Sequence, residues 1–129
     1  MAYRILIVDD DPDLVDAYRM LLEAKGYIVD VAYDGDEGKR RIAESKPDLI
    51  LLDVMMKTDT DGMDLAFDLQ SKAETKSIPI IFQTSLAQWG DYMQESFQGI
   101  RDMPMPYKKF LEKPIHPDNL LSAIREMLK

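Results

Sequence analysis

The chain predicts an α/β fold: a (βα)5 doubly wound domain with one five-stranded parallel sheet and helices on both faces. Three observations carry the prediction. The run Leu49-Ile-Leu-Leu52 is continuously apolar and short, as suits a strand buried on both faces, and it ends abruptly in Asp53. A second run, Tyr3-Arg-Ile-Leu-Ile-Val8, ends the same way in Asp9-Asp10-Asp11. Strand-like and helix-like patterns then alternate five times, which calls for right-handed crossovers within one sheet.

In order along the chain, Asp11-Pro12-Asp13 reads as a turn and helix start, with Asp11 or Asp13 as the cap. Leu14, Tyr18, Leu21 and Leu22 share one face of that helix, and Gly26 stops it. Tyr27 to Ala32 is the second strand. The turn Asp34-Gly35 opens a short helix to about Glu44, with Ile42 and Ala43 as its apolar contacts and Lys39, Arg40 and Arg41 as a solvated face. Pro47 breaks it and leads into the central strand. Val54 to Asp61 is a polar loop, and Gly62 opens a helix burying Met63, Ala66, Phe67 and Leu69. Ser77 to Phe82 is the fourth strand, ending in Gln83-Thr84-Ser85, with Pro79 near its start. Trp89, Met93, Phe97 and Ile100 repeat at helical spacing and read as packing. Pro104 and Pro106 make the next stretch irregular, before a short strand from Phe110 to Lys113. The last helix, from about Pro117, carries Leu120, Ile124, Met127 and Leu128 on its apolar face.

Composition narrows the function. At 129 residues the chain suits one domain with its own core, and its longest apolar runs are far too short to span a bilayer. No secretory signal pattern opens it, so the expected location is cytoplasmic, with no membrane partner. The absence of cysteine excludes disulfides and thiolate metal sites. A net charge of -8 argues against direct nucleic-acid binding, which depends on Lys and Arg neutralising phosphates. A protein or a phosphorylated donor fits better. No Gly-x-Gly-x-x-Gly follows the first strand and no phosphate-binding Gly-x-x-x-x-Gly-Lys-Ser/Thr occurs; acids stand where those glycines would be.

Open α/β sheets bind ligands beyond the carboxyl ends of their strands, where this chain places Asp9, Asp10, Asp53, Thr84 and Lys113. Carboxylates gathered there repel one another unless a hard divalent cation binds, and all-oxygen ligands suit magnesium. An ionised carboxylate can also attack a phosphoryl group and form an acyl phosphate without a general base. Catalysis of that transfer is mainly positioning and charge compensation, which a cation and an ammonium supply.

From about Arg4 to Leu128 the chain resembles the receiver domain of two-component response regulators. Ile-Leu-Ile-Val-Asp9-Asp10-Asp11, Leu-Leu-Asp53-Val-Met-Met and Phe-Leu-Glu-Lys113-Pro114 are the strongest matches. The resemblance implies a flavodoxin-like sheet of strand order 2-1-3-4-5. It implies Asp53 as phosphoacceptor, Asp10 as direct magnesium ligand, Asp9 as ligand through water and the Met55 carbonyl as a further ligand. Lys113 would pair with Asp53 and then with its phosphate. Thr84 would turn inward to the phosphate, and Phe110 would move with it as the aromatic switch. It also raises the expectation of a cis Lys113-Pro114 bond. The implied partners are a histidine kinase or histidine phosphotransfer protein and a downstream protein target, with a monomer or a phosphorylation-dependent dimer as the assembly. The chain would catalyse at most its own phosphorylation and dephosphorylation.

The expected organisation is a receiver domain over residues 1–129 with no output domain in this chain. It departs from the family's pattern at Lys57, where proline is frequent, in a loop one residue longer before Gly62, and in extra residues from Asp102 to Lys109. A phosphorylation-independent scaffold using Met103 to Tyr107 is the alternative reading. A phosphohydrolase with an aspartyl nucleophile fits less well, because Val54-Met55 after Asp53 breaks the Asp-x-Asp pattern of one such class. Asp59-Thr-Asp61-Gly62 lacks the end ligands of a calcium loop, and His116 between two prolines reads as a surface turn.

Overall fold

A computed structural model of the chain describes residues 2–53, 61–84, 109–113 and 115–128. Within them run β1 (Arg4–Val8), α1 (Pro12–Ala24), β2 (Ile28–Ala32), α2 (Gly35–Glu44), β3 (Leu49–Asp53), α3 (Asp61–Gln70), β4 (Ile80–Thr84), β5 (Lys109–Glu112) and α4 (Pro117–Met127). The strands form one parallel sheet in the order β2-β1-β3-β4-β5, as the resemblance implies. The expected helix over Trp89 to Ile100, the irregular loop after it and the Lys113-Pro114 bond lie outside the described residues.

The sheet is apolar on both faces because its strand runs are continuously apolar and successive side chains alternate sides. Ile5, Ile7, Leu49, Leu51 and Ile81 pack on α1 and α4 through Val15, Tyr18, Leu22, Leu120 and Ile124. Leu6, Val8, Ile50, Leu52, Ile80 and Phe82 pack on α2 and α3 through Ile42, Met63, Leu65, Ala66 and Leu69. All five residues of β3 are buried, as its unbroken apolar run requires.

The helix starts follow the expected capping chemistry. Asp11 accepts from the backbone N–H groups of Asp13 and Leu14 at 3.1 and 3.3 Å, and Asp34 accepts from Glu37 N–H at 2.7 Å. His116 is more than a surface turn: its Nδ1 accepts from Asp118 N–H at 3.2 Å and caps α4. Gly26 ends α1 at φ 90°, a conformation that strains any residue with a Cβ. Lys39, Arg40 and Arg41 are exposed, as expected.

Several faces differ from the periodicity reading. In α1 the deepest residues are Val15, Tyr18 and Leu22, while Leu14 and Leu21 flank them half-buried. In α3 Leu65 is buried and Phe67 only partly so. The tight face of α2 is made by Gly35, Gly38 and Ile42, and Ala43 is exposed. A Cβ on Gly38 would stand 3.1 Å from Leu65 Cδ2 and 3.5 Å from Val8 Cγ2, so glycine lets α2 approach the sheet. The fourth strand begins at Ile80 rather than Ser77, because Pro79 has no N–H to give the ladder and contributes only its carbonyl, to Ile50 N at 3.0 Å. It ends at Thr84, within the expected Gln83-Thr84-Ser85 terminus.

Two stability outcomes follow from this packing. Gly38→Val should overpack the α2–α3–β1 contact and lower the unfolding free energy by about 1–3 kcal/mol in urea titration. Asp34→Ala should remove the α2 cap and cost about 1 kcal/mol by the same measurement.

Candidate functional site

Three strand ends build the site. Asp53 is the last residue of β3, Asp9 and Asp10 follow β1, and Lys113 follows β5. Asp9 and Asp53 come two residues after Ile7 and Leu51, so they continue the face covered by α1 and α4. Asp9 is fully buried and Asp53 is 2% exposed. Asp9 N–H still donates to the Ala32 carbonyl of β2 at 3.0 Å, which holds its backbone in line with the sheet.

The Lys113 ammonium lies between the two buried acids, 2.9 Å from Asp9 Oδ2 and 3.0 Å from Asp53 Oδ2. Burial alone would pull its pKa down. The Asp53 charge, together with the hydrogen bond and charge of Asp9, outweighs that effect and raises the pKa above the ordinary lysine value. Lys113 is therefore a protonated, charge-assisted donor at neutral pH.

Ligand oxygens of Asp9, Asp10 and Asp53 all lie within 4.8 Å of one another. Formally, three carboxylates face one ammonium, an excess of two negative charges in a largely buried place. That donor set, oxygen only and matched in charge, could hold a hard divalent cation. The structure thus brings together four of the expected site residues: Asp9, Asp10, Asp53 and Lys113. The Met55 carbonyl lies outside the described residues, as does the Thr84 hydroxyl, although Thr84 closes β4. Phe110 is half-buried on β5, opposite Phe82 in register, and packs on the α2–α3 side of the sheet.

Two residues here escaped the sequence reading. Gln83, fully buried beside Asp53 in the β3–β4 register, donates from Nε2 to Asp9 Oδ2 at 3.0 Å. Its Oε1 has no hydrogen-bond partner among the described residues. Strand alternation from Ile81 puts Gln83 on the Asp53 face, a signal the expected strand end already contained. Tyr18 was read only as an apolar helix residue. Its buried hydroxyl approaches the Ile115 backbone without a hydrogen bond of full geometry. Burial first, then the charges of Asp9, Asp53 and Asp11, hold the phenol protonated by raising its pKa.

Comparison with known proteins agrees with this geometry. A family model for the response regulator receiver domain matches residues 5–125. PilH of Pseudomonas aeruginosa is 34% identical over 125 residues, covering 97% of each chain. RpaA of Synechocystis, a DNA-binding dual master transcriptional regulator, is 35% identical over 126 residues, covering 98% of this chain and 49% of that protein. The chain thus spans about half the length of RpaA, and likewise 50% of DltR of Streptococcus agalactiae. Among solved structures, a putative response regulator from Chloroflexus aurantiacus superposes with a TM-score of 0.82 at 26% identity, over 99% of this chain and 98% of that one. The signal receiver domain of a histidine kinase from Syntrophus aciditrophicus gives 0.82 at 29% identity, over 98% and 90%. With the sheet order, the family match and relatives above 30% identity all in agreement, this chain belongs to the response regulator receiver domains of two-component signalling.

Proposed function

We propose that Asp53 is the phosphoacceptor of this receiver, phosphorylated with magnesium by a histidine kinase or histidine phosphotransfer protein, and that the modified residue switches a protein-binding surface. The observation that carries this reading is the Lys113 ammonium 3.0 Å from Asp53, with Asp9 and Asp10 close enough to share a cation. In the transfer, an Asp53 carboxylate oxygen forms the bond to phosphorus while the phosphorus–nitrogen bond of the donor phosphohistidine breaks. The bonding pair returns to the imidazole. Asp9, Asp10, Asp53 and the Met55 carbonyl are the residues that would hold magnesium, which supplies charge compensation for the phosphoryl oxygens. Lys113 is the chain's own donor to those oxygens, since its bond to Asp53 already aims it at the acceptor.

The acyl phosphate adds charge and acceptor oxygens at the ends of β3 and β4. In the proposed switch the Thr84 hydroxyl follows them, and Phe110, half-buried rather than locked in the core, changes its packing on β5. No helix among the described residues is long and apolar enough to cross a membrane.

Two outcomes test the reading. Incubation with magnesium and acetyl phosphate should add one phosphoryl group by intact mass, and Asp53→Ala should abolish the addition. An unchanged wild-type mass under saturating donor would sink the proposal, and partner binding indifferent to Asp53→Ala would favour the scaffold. The Lys113 pairing also has a pH signature, measured without divalent metal. A raised folded pKa gives stability that is fully present below the unfolded value of about 10.4 and is lost as pH rises through the folded one. The gap in unfolding free energy between wild type and Lys113→Met should therefore stay flat from about pH 6 to 9 and shrink above about 10.4.

A further inference from the structure

Gln83 is a polar side chain at a fully buried strand position, and apolar packing alone does not call for it. Its β4 neighbours Ile81 and Phe82 are apolar and fully buried, and half of its own amide goes unpaired among the described residues. The other half is aimed at the site. Nε2 donates to Asp9 Oδ2, the same oxygen that receives the Lys113 ammonium, while Asp9 Oδ1 accepts from Asp11 N–H at 3.0 Å. A carboxylate oxygen offers about two lone-pair sites, so Oδ2 is fully engaged. Two donors on one oxygen compete, and each is held less tightly than it would be alone.

We propose that Gln83 is a positioning residue that biases this acidic site toward an incoming phosphoryl anion and against the cation, by sharing the Asp9 oxygen with Lys113. The proposal deepens the phosphoacceptor reading and rests on it. The sign is set by electrostatics. An N–H dipole pointing at the cluster makes its potential less negative, which weakens cation binding and favours an anion. It also loosens Asp9's hold on the ammonium, so that Lys113 can turn to the phosphoryl oxygens.

The two effects have opposite signs, and a packing role does not produce that pattern. Gln83→Met keeps the length and approximate shape of the side chain without the amide. Calorimetric titration of the unphosphorylated variant should show magnesium bound about three- to tenfold more tightly, and the maximal phosphorylation rate from acetyl phosphate should fall by a similar factor. Magnesium affinity unchanged, or affinity and rate falling together, would overturn the proposal. Should the variant not fold, wild type carries the test. When beryllofluoride added to the magnesium-saturated protein draws Lys113 to the Asp53 adduct, Gln83 is left as the side-chain donor on Asp9 Oδ2 among the described residues, and its bonded amide proton should move downfield in the nuclear magnetic resonance spectrum relative to magnesium alone. An unmoved or upfield signal contradicts the inference. If wild type takes up neither magnesium nor phosphate, the functional reading fails and this inference with it. If wild type does both and Gln83→Met behaves identically, only this inference fails.

Discussion

The candidate site is organised around one electrostatic contact, the Lys113 ammonium shared between the buried Asp9 and Asp53. Taking a carboxylate out of water costs several kcal/mol unless donors replace the lost solvent. Here Asp9 receives Asp11 N–H, the Gln83 amide and the Lys113 ammonium. Those donors come from the β1–α1 turn, β4 and the end of β5, so the acid is tolerable only when the whole sheet is assembled. Charged groups at the mouth of the sheet and apolar groups within it therefore form one cooperative unit.

Register carries the geometry across the sheet. Lys113 and Asp9 are separated by two intervening strands, and the pairings Val8 with Leu52, Asp53 with Gln83, and Thr84 with Glu112 keep the ends level. A slip of one residue would turn Asp53 to the α2–α3 face and leave Lys113 without that partner. What prevents the slip is burial on both sides, since every residue of β3 from Leu49 to Leu52 has a core position to lose. Gly38 contributes from a distance by letting α2 settle onto Val8 and Leu65.

The two sheet faces divide the labour of the proposed switch. Asp9, Asp53 and Gln83 crown the apolar layer under α1 and α4, and the low dielectric beneath them strengthens each charge effect. Phe110 lies on the opposite face, against the layer under α2 and α3. Asp53 and Phe110 are linked through the β3–β4 and β4–β5 pairs, where Asp53 stands beside Gln83 and Phe82 beside Phe110.

Much of this was legible in the linear chain because it rests on local pattern. Unbroken apolar runs at Ile5 to Val8 and Leu49 to Leu52 declare strands buried on both faces, and their acidic ends mark one edge of the sheet. Asp11, Asp34 and Gly26 declare helix ends through their own backbone chemistry. Other features are decided by neighbours distant in sequence. Whether Val15 or Leu14 lies deepest, and why α2 needs glycine at 38, depends on the shape of the opposing surface, which periodicity does not encode. Gln83 looked like one polar residue of a strand's terminus, and Tyr18 like one more apolar position. Only when β1, β3, β4 and β5 are laid side by side does Gln83 meet Asp9, 74 residues away, and share an oxygen with Lys113, because a hydrogen bond is set by ångströms in space and not by spacing along the chain.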